Sequence, residues 1–153
     1  MTTKICRATH CLHDTKEINT DSDKYFQKGS CYYHSDCYKT VQDIKQIVDL
    51  WTTKINQNVV YPQLMKTLNH IIYTKHVNSD MVLFGLRYYI NNHIPLNYPG
   101  GLYYVLQNKQ MMQAYKTYRR KQQSNNITFI VADEEEQEAV YKPQTNRFGG
   151  IFA

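Results

Sequence analysis

The sequence has no apolar run long enough to cross a bilayer, and its opening stretch MTTKICRATHCLHDTK is too polar for a secretory leader. These absences predict a cytoplasmic chain with no membrane attachment. No cysteine follows residue 37, so Cys6, Cys11, Cys31 and Cys37 all fall in the first quarter of the chain. In a reducing compartment, clustered thiols serve as metal ligands more often than as disulfides, which favours one local site. Tryptophan occurs once, as Trp51. With 153 residues the chain makes one domain, or a small module with a helical body. Lys, Asn, Ile and Tyr are plentiful, a usage typical of a low-GC coding sequence and a hint of a phage or bacterial mobile element.

Charge is unevenly spread. Residues 1–123 carry 16 Lys and Arg against 8 Asp and Glu, and residues 124–153 carry 2 against 5. A basic body followed by an acidic tail points to a polyanionic partner for the body and a separate role for the tail.

The chemistry-bearing pattern is Cys6-x4-Cys11, a gap of 22 residues, then His34-x2-Cys37. Two close pairs of thiol or imidazole groups are what a tetrahedral structural Zn²⁺ requires, and four protein ligands leave no open position for a catalytic water. Cys31 competes with His34 or Cys37, and His10 and His13 compete with Cys6 or Cys11. The intervening residues 12–30 read as a polar loop or short hairpin, with Tyr25 and Phe26 packing over the site. Such a module has too little core to fold without metal, so binding and folding become one event.

Gly29 followed by Tyr33-His34-x2-Cys37-Tyr38 resembles the second knuckle of LIM and poly(ADP-ribose) polymerase-type zinc fingers. That resemblance covers about residues 5–55. It implies a treble-clef-like layout with the last ligands near the start of a helix, although the first pair here is spaced x4 where those families use x2. LIM-type modules bind proteins and the other family binds DNA, so the resemblance implies either partner.

Behind the cysteines the sequence turns helical. Val41, Ile44, Ile47, Val48, Trp51 and Ile55 recur at steps of three and four, predicting a helix over 40–56, capped by Thr40, with Trp51 as a core anchor. Tyr61-Pro62 opens a second helix, striped by Leu64, Met65, Leu68, Ile71 and Ile72 and ending near His76. Ser79 is expected to cap a third helix that His93-Ile-Pro95 stops, with Arg87 on its wet edge. Residues 97–101 turn into a fourth helix over about 102–123. The fold class expected is mainly α: a zinc-binding module over 1–39, a helical domain of about four helices over 40–123, and a tail over 124–153 that holds a short strand at 127–132.

The fourth helix ends in Lys116, Tyr118, Arg119, Arg120 and Lys121. Cations complement the negative C-terminal dipole, which accounts for one or two of them. The remainder, interleaved with tyrosine, suits phosphate contact, with Arg7, Lys28, Lys39 and Arg87 as further candidates. His93, Gly100-Gly101 and Asn108 faintly resemble the His, Gly-Gly, Asn spacing of HNH nucleases, although Asn92 stands where that family carries an acid or histidine. The acidic run from Asp133 leads to Phe148, Ile151 and Phe152, which is similar to the partner-docking tails of bacterial single-stranded-DNA-binding proteins. The leading expectation is a non-enzymatic, zinc-stabilised protein that binds nucleic acid, DNA above all. The alternatives are an inhibitor or adaptor that docks on a host or phage enzyme and, more distantly, an HNH-like nuclease.

Overall fold

The computed structural model describes residues 2–138, with side chains described from 2 to 125. One compact unit ends at Met112 and a second begins at Gln113. The first unit opens with two antiparallel hairpins. In the first, β1 (Thr3–Ile5) pairs with β2 (Glu17–Asn19), Thr3 opposite Asn19 and Ile5 opposite Glu17. In the second, β3 (Tyr25–Lys28) pairs with β4 (Cys31–His34), Tyr25 opposite His34 and Lys28 opposite Cys31. Gly29 and Ser30 form the two-residue connection of the second hairpin. Gly29 has φ +60°, the positive value such a tight turn needs at its first central residue. A bridge between Cys6 and Tyr32, with Arg7 N–H donating to the Tyr32 carbonyl at 2.9 Å, ties the hairpins together.

Five α-helices follow among the described residues. α1 (Ser35–Leu50) runs straight on from β4 and continues as a π-helical turn, Trp51–Ile55. It starts five residues before the expected cap at Thr40, because His34, in extended backbone, already ends the strand. α2 (Tyr61–Asn69) likewise runs into a π-helical turn, His70–Thr74. α3 (Ser79–Asn91) is capped by Asn78, whose side-chain oxygen accepts from the Asp80 N–H at 3.0 Å. Ser79, the expected cap, donates its hydroxyl to Asp43 Oδ2 at 2.7 Å and is buried. Lys39 reaches the same Asp43 oxygen at 2.8 Å and Asp80 at 3.7 Å, so a polar cluster fastens the first turns of α3 to α1.

The single long fourth helix expected is two helices. α4 (Gly101–Gln107) ends at Asn108, and α5 (Lys109–Glu138) starts anew. Asn108 has extended backbone, accepts from the Met111 N–H at 3.1 Å and donates to the Tyr89 hydroxyl at 3.1 Å. The side chain thereby caps α5 and anchors the break to α3. The strand expected at 127–132 is also corrected, since α5 carries that stretch as helix to Glu138. Its β-branched residues favour a strand only where a second strand lies alongside to take the backbone hydrogen bonds. A helix satisfies the same groups locally.

The core of the helical part is built from α1 to α4 and the first turn of α5. Ile47, Trp51, Leu64, Leu68, Ile71, Leu86, Leu102, Val105 and Met111 are all buried, joined by Val82, Leu83 and Tyr89 of α3. Gly85 lets α3 and α4 approach, because a Cβ there would sit 2.8 Å from Val105 Cγ1. The smaller core under the hairpins consists of Cys6, Ala8, Ile18 and Cys37, with Tyr32, Tyr33 and Val41 against it.

Candidate metal centre

The connection between β1 and β2 carries Cys6 and Cys11, while the junction of β4 with α1 carries His34 and Cys37. Folding closes the 22-residue gap between the pairs. The three sulfurs and one ring nitrogen all lie within 4.8 Å of one another, and these four residues can hold a metal ion. Cys11 Sγ is 3.4 Å from His34 Nδ1 and 3.7 Å from Cys37 Sγ, and Cys37 Sγ is 3.8 Å from the same nitrogen. Cys6, His34 and Cys37 are buried, and Cys11 is half-buried.

The surroundings orient this set. His34 Nε2 lies 3.1 Å from the Glu17 carbonyl, which makes Nε2 the protonated nitrogen and leaves Nδ1 with its lone pair toward the cluster. The Leu12 N–H points at Cys37 Sγ at 3.3 Å, a contact that favours thiolate. Without a cation the cluster is electrostatically unfavourable. Burial, with the neighbouring Cys11 and Cys6 sulfurs, pushes the Cys37 thiol up to about 12 despite the Leu12 N–H. Burial, together with the Cys37 and Cys11 sulfurs, also raises the Tyr73 hydroxyl. A divalent cation held by the sulfurs would oppose the part of both shifts that the sulfurs contribute.

Of the competing residues, Cys31 and His10 belong to no such group among the described residues, and His13, itself exposed, forms a second group with Asp36 and Cys37. Cys31 is three residues from His34 on β4 and so projects from the opposite face of the strand. His10 stacks on Tyr73 with ring centroids 4.8 Å apart. His13 lies over the His34 ring at 3.9 Å and meets Asp36 Oδ1 with its Nε2 at 2.9 Å. Burial alone would raise the Asp36 carboxyl, but the bonds from His13 and the Cys37 N–H outweigh it and hold it below the usual carboxylate range.

Tyr25 and Phe26, expected over the site, are about 40% exposed, and it is Tyr32 and Tyr33 that pack against the small core. The residues singled out for nucleic-acid contact, Arg7, Lys28, Lys39, Arg87, Lys116, Tyr118, Arg119, Arg120 and Lys121, are all exposed. Arg87 donates to Gln46 Oε1 at 2.9 Å, and Lys39 belongs to the Asp43 cluster. His93 stands just past α3 with φ 54° and belongs to no group of metal-ligating side chains among the described residues. Phe148, Ile151 and Phe152 lie outside the described residues. No helix among them is long and apolar enough to cross a membrane. No family model, no curated protein and no solved structure matches the chain.

Proposed function

We propose that the Cys6, Cys11, His34 and Cys37 cluster is a structural Zn²⁺ site, and that the protein it staples binds nucleic acid, DNA above all, without catalysing a reaction on it. Zinc fits the donors by size. A tetrahedral ion with bonds of about 2.3 Å to sulfur and about 2.05 Å to nitrogen gives S···S edges near ~3.8 Å and S···N edges near ~3.6 Å. For three of the donors the separations are close to these, 3.7 Å between the Cys11 and Cys37 sulfurs and 3.4 and 3.8 Å from those sulfurs to His34 Nδ1, and the Cys6 sulfur lies within 4.8 Å of them all. Three thiolates and an imidazole are a soft set that suits zinc, and a filled shell of four protein ligands gives the ion a stapling role. One ligand pair sits in a hairpin connection and the other at a helix start. That arrangement supports the treble-clef-like resemblance. The reduced thiols the site needs fit a cytoplasmic setting.

The observation that carries nucleic-acid binding is on α5. Every residue from 116 to 125 is exposed, and Lys116, Arg119, Arg120 and Lys121 put four cations into six positions with no carboxylate among them. A helical stretch that is exposed all round is not held by packing of its own, and one this basic suits a polyanion. Zinc-loaded protein titrated into labelled DNA across a salt series tests the reading. Affinity falling linearly in log salt supports it. Arg119→Ala with Arg120→Ala should lower the duplex slope by about 2 × 0.9. A wild-type protein that binds no nucleic acid at low salt overturns it.

A further inference from the structure

Strand alternation sorts the β3–β4 hairpin onto two faces. His34, opposite Tyr25, carries one face to the metal cluster, whereas Phe26, opposite Tyr33, lies on the other with Lys28. Phe26 stacks on Tyr38 of α1, with ring centroids 4.0 Å apart and planes 22° apart, and Tyr33 closes on Tyr38 at 5.5 Å. Phe26 stays 41% exposed, as expected of a ring covered on one side only. The stack is thus a braced, flat aromatic surface with an open outer face.

Charge is divided between the same two sides. Asp14, Glu17, Asp23 and Asp36, with the single lysine Lys24, line a concavity shared with His34. Lys28 follows Phe26 by two residues on its own face, about 7 Å along the strand. Lys45 follows Tyr38 by seven residues along α1, close to two helical turns and so on the same side. Neither lysine has a carboxylate partner among the described residues.

We infer that the Phe26–Tyr38 stack is a platform for an unpaired base of a single-stranded nucleic acid, with Lys28 and Lys45 taking flanking phosphates. This rests on the nucleic-acid reading above, and it adds the strand form and a second contact surface within the first compact unit. An apolar protein partner would leave both ammonium groups unmatched. A base offers a π face to the ring and a phosphate to each lysine. Every base has such a face, so the surface is tolerant of sequence.

Fluorescence anisotropy of the zinc-loaded full chain tests this with three probes of equal length: oligothymidylate, the same backbone with abasic positions, and a duplex. Oligothymidylate should bind tightest, and the preference over the abasic strand requires no variant to measure. Phe26→Ala should lose about 5- to 150-fold toward oligothymidylate and little toward the abasic strand. Phe26→Trp should keep the affinity, and Phe26→Leu should not. Lys28→Gln should lower the single-strand salt slope by about 0.7. Equal affinity for thymidylate and abasic strands, or a preference for duplex, overturns the platform while leaving the basic helix intact. Loss of all nucleic-acid binding in the wild type removes the broader reading as well.

Discussion

Metal affinity should depend steeply on pH, and the steepness counts the thiols. Each cysteine ligand must surrender its proton to the medium when the ion binds. The cluster offers three, at Cys6, Cys11 and Cys37, and in the metal-free protein burial and the neighbouring sulfurs push the Cys37 thiol up to about 12. Three protons then leave per ion. Log K should rise by about three per pH unit, or roughly 4 kcal/mol of binding free energy. Competition between the protein and a chromophoric chelator for Zn²⁺, repeated at several pH values, measures the slope. Cys37→Ser should reduce it to about two, and Cys31→Ser should leave it at three. A wild-type slope of one or less would refute a three-thiolate site.

Three further outcomes follow from the packing. Gly85→Ala should lower the melting temperature by several degrees, because the new Cβ meets Val105 Cγ1 at 2.8 Å. Overpacking costs about 1–3 kcal/mol against the ~1 kcal/mol that alanine gains in a helix, and a rise on calorimetry would contradict the close approach. Asn108→Ala should cost about 1–2 kcal/mol in a denaturant titration, since it removes the cap of α5 together with the hydrogen bond to Tyr89. Asp36, held below the usual carboxylate range, stabilises the fold above the ordinary carboxylate pKa of about 3.9 and loses that contribution as pH falls through its lower folded value. Asp36→Asn should therefore flatten the stability profile below about pH 4. With a side chain 55% exposed, the change is small, and an unaltered acid limb would show that the His13 contact contributes nothing.

By itself the sequence determined the parts whose physics is local. Period-3.6 stripes marked Ile47, Trp51, Leu64, Leu68, Ile71 and Ile72 as core, and all are buried. Donor chemistry and pair spacing selected Cys6, Cys11, His34 and Cys37, and these are the four that converge. Tertiary structure decided what depends on partners distant in the chain. Which thiol is set apart depends on the strand pairing that turns Cys31 away from His34, and pairing is a property of two segments. The helix break at Asn108 depends on Tyr89 of α3 receiving its amide. Ser79 could have capped α3, but it donates to Asp43, 36 residues away. Residues 127–132 carry a strand-like composition, yet backbone groups that find no neighbouring strand pair within their own helix.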